Sequence, residues 1–128
     1  MAISLNEKTV VVTGGAGFLG QYVVRELKDI GCEKIHIPRS REFDLRKEQD
    51  IIKMLEKFKP EIIIHLAASV GGIGANQKNP GKFFYDNLIM GIQLMELSRL
   101  YRVEKFVAIG TICAYPKYAP VPFKEEDL

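Results

Sequence analysis

A glycine-rich heptapeptide, Gly14-Gly15-Ala16-Gly17-Phe18-Leu19-Gly20, follows a run of β-branched residues from Lys8 to Thr13 and opens an apolar and polar pattern at helical spacing from Phe18 to Ile30. A strand that turns on glycines directly into a helix leaves little freedom for the rest of a fold, because it is the first unit of a parallel βαβ sheet. Gly14 and Gly15 admit a turn that a side chain would obstruct, Gly17 lets the backbone approach a pyrophosphate, and Gly20 lets the helix pack close to the sheet. Phe18 and Leu19 complete the loop at the helix N-terminus, whose amides have no partner within the helix and favour phosphate. The spacing predicts a dinucleotide site. The competing reading is a glycine-rich strand-to-helix turn that holds no ligand, and the βα context weighs against it.

The residues that follow repeat the alternation. Gly31 ends the helix and Lys34 to Pro38 reads as a second strand, with Phe43 to Leu45 as a short third. Glu48 to Phe58 carries Ile51, Ile52, Leu55 and Phe58 on one helical face before Pro60 stops it. Glu61 to Ala67 is a nearly continuous apolar run, as expected for a strand covered on both faces, and Pro80 to Tyr101 is a long amphipathic helix. Lys105 to Gly110 is the fifth strand. The expected architecture is therefore α/β, a Rossmann-type doubly wound parallel sheet that is cut off after the fifth strand. Residues 1–128 form one cofactor-binding domain, incomplete at its far side, with any substrate domain outside this chain. Tyr115 to Leu128, with three prolines and a charged cluster, reads as a loop.

Charge and cysteine content narrow the partners. Lysine and arginine outnumber aspartate and glutamate by only 18 to 16 and are evenly scattered, which argues against a nucleic-acid surface. Two cysteines, Cys32 and Cys113, are too few for a disulfide scaffold, and MAISLNEK lacks the basic start and apolar core of a signal peptide, so a reduced, cytoplasmic setting is expected. The most apolar segment, IIIHLAASVGGIGA, is interrupted by His65 and glycines and is shorter than the roughly 20 residues of a membrane span. His65 and His36 read as hydrogen-bonded core histidines, and no metal site is expected.

The end of the second strand selects the dinucleotide. An acidic residue there would accept hydrogen bonds from the free ribose of NAD, but the chain has Pro38-Arg39-Ser40-Arg41. Two guanidinium groups and a hydroxyl suit a 2′-phosphate, so NADP is the expected cofactor. A solvated pair of surface arginines is the alternative. Asp44, further on, is assigned to the adenine side.

From Val10 onward these features resemble the extended short-chain dehydrogenase/reductase family, through GGAGFLG, Asp44-Leu45, and His65-Leu66-Ala67-Ala68. Val70-Gly71-Gly72-Ile73-Gly74-Ala75-Asn76 and Gly110-Thr111-Ile112-Cys113-Ala114-Tyr115-Pro116 narrow the resemblance to that family's GDP-L-fucose synthases. The resemblance implies NADPH as hydride donor and a nucleotide-sugar substrate, GDP-4-keto-6-deoxymannose, epimerised at two carbons beside the ketone and then reduced. It also implies a catalytic hydroxyl at Thr111, a proton-transferring thiol at Cys113, cofactor contacts at Asp44, Leu45, Leu66, Ala67 and Ala68, and a homodimer through the helix Pro80 to Tyr101. Val70, Gly71, Gly72 and Asn76 are the candidate sugar contacts, the alternative being a merely flexible loop. Phe83, Phe84, Leu88, Ile92 and Met95 read as core and interface packing. Dehydratases of the family carry Asp-Glu where this chain has Ile112-Cys113, which disfavours dehydration.

One element of the resemblance is missing. The family's Tyr-x-x-x-Lys pair belongs on the helix after the fifth strand, and the one such spacing here, Tyr101 to Lys105, precedes that strand and spans a helix end and a strand start. It cannot present both side chains on one helical face. Two readings therefore stand: the cofactor portion of an epimerase-reductase, or a nucleotide-binding module without turnover.

Overall fold

The computed structural model describes residues 5–111 and 114–128. Four strands, β1 (Thr9–Thr13), β2 (Lys34–His36), β3 (Ile62–His65) and β4 (Lys105–Ala108), form one sheet in the order β2-β1-β3-β4. Every neighbouring pair is parallel, with Val11 opposite both His36 and Ile63, and Ile63 opposite Phe106. The helices are α1 (Phe18–Asp29), α2 (Glu48–Phe58), α3 (Ile73–Lys78) and α4 (Pro80–Leu100), and a 3-10 turn covers Glu125–Asp127.

Period-two alternation sorts the strand residues into two cores. Val10, Val12 and Ile62 pack with Val24 and Leu27 of α1, while Val11 and Ile63 pack with Ile51, Met54 and Leu55 of α2 and Met90, Leu94 and Leu97 of α4. The sheet is thus covered on both faces, which explains why Val10 to Val12 and Ile62 to Ile64 read as unbroken apolar runs. At the N-terminal ends of the strands, Lys8 forms 2.8 Å ion pairs with both Glu61 and Glu104 and ties β1, β3 and β4 together. The opposite, C-terminal ends are free to carry a site.

Three expectations need correction. Phe43 to Leu45 is not a strand: the Glu42 and Phe43 amides both donate to the Arg39 carbonyl and Lys47 N–H donates to Asp44, so the backbone turns on itself instead of pairing. Phe43 and Leu45 still alternate inward into the core, which is why the segment resembles a strand. Among the described residues the sheet therefore has four strands rather than five. The stretch that carries Val70, Gly71, Gly72 and Asn76 is not merely a flexible loop, since it runs into α3, none of whose residues is buried. On α4 the buried face carries Asp86, Met90, Leu94, Leu97 and Ser98, whereas Phe84, Leu88, Ile92 and Met95 are exposed and Phe83 is half-buried. Of the residues read as core and interface packing on this helix, those four are not core and form an outward stripe at i, i+4, i+8 and i+11.

Candidate functional site

The sheet order reverses direction at β1 and β3, whose connections run to opposite sides. Open α/β sheets bind ligands in the crevice outside the carboxyl ends of the strands at such a switch point. A cleft of about 760 Å³ lies there, lined by the turn after β1, the loop after β2, the turn after β3 and one face of α4.

The turn after β1 owes its shape to two glycines. Gly14 has φ +72°, and a Cβ there would stand 2.7 Å from the Ala67 amide nitrogen, so a side chain would push apart the turns that follow β1 and β3. Gly20 sits in the first turn of α1, where a Cβ would fall 2.1 Å from the Gly14 carbonyl oxygen and 2.5 Å from Gly15 Cα. The helix can start this close to the strand only if position 20 has no side chain. Gly17 caps α1 without a side-chain hydrogen bond, leaving first-turn amides beside the cleft wall that Gly14, Ala16 and Gly17 form. A dinucleotide pyrophosphate fits this cradle by shape and by donor chemistry.

Thr13, His65 and Ala67 fix the two turns relative to each other. The Thr13 hydroxyl lies 2.7 Å from His65 Nδ1, and Ala67 N–H donates to Thr13 Oγ1 at 3.4 Å. The hydroxyl thus bridges the Ala67 amide and the His65 ring, and burial pushes the imidazole pKa down. His65 is thus a hydrogen-bonded structural residue, as expected, and His36 stacks on Phe58 at 4.5 Å.

Arg39, Ser40 and Arg41 line the cleft together with Asp44, Leu45, Leu66, Ala67, Ala68 and Val70. Arg39 and Arg41 are exposed, with Arg41 only 3.9 Å from Glu42 across a loose surface pair. Gly15 and Gly20 lie behind this surface, buried, while Phe18 and Leu19 project outward with 82% and 50% of their surface exposed. Among the described residues, the remaining assigned ones are not gathered in the same cleft. Gly71 and Gly72 precede α3, and Asn76 borders a second, shallower cleft of about 600 Å³ with Phe83, Phe84 and Leu88. The Asn76 amide group donates to the Gly71 and Gly72 carbonyls at 2.8 and 3.2 Å and so tethers its own loop. Thr111 lies three residues past β4 and is exposed, its carbonyl accepting the Ala114 N–H at 3.1 Å. Cys113 lies outside the described residues. Tyr101 and Lys105 fall at the end of α4 and the start of β4, away from the cleft.

Three polar residues of the site escaped the sequence reading. Arg46 donates to both Asp44 oxygens, at 2.9 and 2.8 Å, and its guanidinium lies 3.6 Å from Asp86. Asp86 itself is 5% exposed and is also paired with Lys82 one helical turn earlier. Asn87 accepts the Ser69 N–H at 2.7 Å and returns a hydrogen bond to the Ser69 carbonyl at 2.9 Å, anchoring the loop after β3 to α4. The available signal was an aspartate and an asparagine inside an apolar helix, where both are unfavourable unless they have partners. Among the described residues no helix is long and apolar enough to cross a membrane.

A parallel sheet with a switch point above a glycine turn and a helix N-terminus defines a nucleotide-binding α/β domain of the NAD(P)-binding kind. Residues 10–128 match the model of the NAD dependent epimerase/dehydratase family, and the chain belongs to that family. It is 41% identical over 124 residues to a GDP-L-fucose synthase of Sinorhizobium fredii, covering 97% of this chain and 39% of that protein. It is also 38% identical to a GDP-L-colitose synthase of Yersinia pseudotuberculosis, covering 84% and 35%. Among solved structures it resembles MlghC, a GDP-mannoheptose C4 reductase from Campylobacter jejuni with NADP bound, at a TM-score of 0.90 and 29% identity, over 99% of this chain and 40% of that one. The chain thus spans about two-fifths of the length of these relatives.

Proposed function

We propose that this chain is the cofactor portion of a cytoplasmic, NADP-dependent sugar-nucleotide epimerase-reductase of the GDP-L-fucose synthase type, acting on GDP-4-keto-6-deoxymannose. The observation that carries the reading is the arginine-bearing cleft at the switch point, taken with 41% identity to a GDP-L-fucose synthase. In this reading the amides of Gly14 to Gly20 hold the pyrophosphate, Arg39, Ser40 and Arg41 hold the 2′-phosphate, and Leu45, Leu66, Ala67 and Ala68 flank the dinucleotide. Bound NADPH supplies a hydride to the ketone carbon. Thr111 donates a hydrogen bond to the ketone oxygen as charge grows there, and Cys113 moves protons at the carbons beside it. Val70, Gly71, Gly72 and Asn76 border the sugar. A reduction of another GDP-linked keto sugar is the second reading, favoured by the likeness to a heptose reductase.

Selectivity tests the cofactor assignment. Arg39→Ala combined with Arg41→Ala should weaken NADP by on the order of 3 kcal/mol, roughly a hundredfold, because two charge-assisted donor sets are lost, and should leave NAD nearly unchanged. Calorimetric titration with both dinucleotides measures this, and equal affinities in the parent chain would overturn it. NADPH oxidation with a chain extended to the relatives' length, assayed with GDP-4-keto-6-deoxymannose and with a GDP-linked keto-heptose, separates the two substrate readings.

The outward stripe on α4 is assigned to a second copy of this chain. Phe84, Leu88, Ile92 and Met95 each keep about half or more of their surface exposed, which a helix in water gains by covering. Leu88→Asp should convert a sedimenting dimer to monomer without changing the far-ultraviolet circular dichroism. A parent chain that sediments as a monomer would rule out this assignment.

A further inference from the structure

Asp86 shares the buried face of α4 with Met90, Leu94 and Leu97, and an ionised carboxylate at such a position is costly unless it is paired. Its partners come from three elements. Lys82 holds it from one turn earlier on α4, the Arg46 guanidinium approaches to 3.6 Å from the loop after β2, and the Ser69 side chain bonds to it from the loop after β3. The Lys82 hydrogen bond above all, with Arg46 and Ser69 adding to it, holds the Asp86 carboxyl below the usual carboxylate range, so the group is an ion. Both loops, and Asp86 itself, line the cleft at the switch point. One buried charge thus fastens two walls of that cleft to the helix beneath them.

Arg46 carries this anchorage onward to Asp44. Its backbone N–H and Nε donate to Asp44 Oδ1 at 3.1 and 2.9 Å, and its Nη2 donates to Oδ2 at 2.8 Å. A carboxylate offers about four acceptor positions, so three are filled and one, on Oδ2, is left open. Asp44 lines the cleft with 21% of its side chain exposed, and the Arg46 hydrogen bonds hold its carboxyl down at about 2, so near neutral pH the open position can only accept. Adenine can meet it with a donor, the 6-amino group, whereas hypoxanthine carries a 6-oxo acceptor that a carboxylate repels. We infer that Asp86 is a positioning residue for base recognition: through Arg46 it fixes the direction of the one acceptor position that Asp44 offers to the base of the dinucleotide. The inference rests on the reading of Asp44 as the adenine-side residue, and Asp86 itself need not touch the cofactor.

Calorimetric titration of the 128-residue chain with NADP and with its hypoxanthine analogue tests this, because a residue that only supports the fold would weaken both alike. The parent should prefer NADP about tenfold, the order expected for one hydrogen bond to a charged group. Asp86→Asn, which keeps the shape of the side chain but not the charge that holds Arg46, should bring the two to within about twofold by weakening NADP and leaving the analogue nearly unchanged. Arg46→Met should do the same, and because Arg46 is exposed it supplies the test should Asp86→Asn fail to fold. Asp44→Ala removes the acceptor itself, and Asp86→Asn added to it should leave the ratio of the two affinities where Asp44→Ala alone puts it. An unchanged preference in Asp86→Asn and Arg46→Met, equal weakening of both dinucleotides, or a further change of the ratio in the double variant would overturn the inference and leave the NADP reading intact. A parent that binds NADP and the analogue equally tightly would overturn the inference together with the placement of Asp44, and a parent that binds neither would overturn the dinucleotide reading itself.

Discussion

Gly20→Ala should abolish dinucleotide binding and destabilise the fold by about 3 kcal/mol or more. An alanine in a helix is ordinarily worth about 1 kcal/mol over glycine, so a favourable effect would be expected at an open position. Here the added Cβ would lie 2.1 Å from the Gly14 carbonyl oxygen and 2.5 Å from Gly15 Cα, both of them backbone atoms of the turn. A flexible side chain can move aside for an extra methyl, but a turn whose Gly14 is pressed against Ala67 cannot. The steric term wins, and α1 must slide away from the strand, carrying its N-terminal amides off the cleft. Urea unfolding with fluorescence titration of NADPH measures both effects. Gly91→Ala is the control, since it lies in α4 where a Cβ meets nothing within 4 Å. Binding by Gly20→Ala within twofold of the parent would show that the turn does not hold the dinucleotide.

Cys113→Ser, made in a chain carrying the full length of the relatives, should slow proton exchange at the carbons beside the ketone by roughly a hundredfold or more, the usual range for loss of a general acid or base. Hydride transfer to an already epimerised ketone should change far less, because abstraction of a carbon-bound proton and reduction of the carbonyl use different groups. A serine hydroxyl keeps the size of the thiol but is a far poorer base near neutral pH. Deuterium uptake from solvent into the substrate, followed separately from NADPH oxidation, resolves the two steps. Unchanged uptake in the variant would mean that Cys113 only packs.

Both expectations began as sequence readings, and they differ in how far the structure carries them. The glycine turn was legible because glycines at 14, 17 and 20 have few other reasons to fall between a β-branched run and an amphipathic helix, and the geometry at Gly14 and Gly20 supplies the steric reason. The helix Glu48 to Phe58 was legible to the residue, since Pro60 and the left-handed Lys59 leave it no room to continue. Thr111 and Cys113 rest on the resemblance alone. Thr111 does not lie among the residues lining the cleft, and Cys113 is outside the described residues.

The sequence by itself determined the alternation of strands and helices, the parallel class of the sheet, the glycine turn and the basic loop, because each is written in contacts between residues close along the chain. Only the tertiary structure decided the rest. Phe43 to Leu45 turns instead of pairing because its carbonyl and amide partners lie within its own loop, while its side chains alone follow a strand's alternation. Which face of α4 is core depended on the sheet placed beneath it, so Leu94 is buried and Ile92 is not, although both are equally apolar. Thr13 with His65 is separated by 52 residues, Ser69 with Asn87 by 18, and Arg46 with Asp86 by 40. No local pattern specifies such pairs. They form because parallel crossovers bring the ends of β1 and β3 and the flank of α4 around one crevice, and a charge there can be read as free or silenced only when its partner across the fold is known.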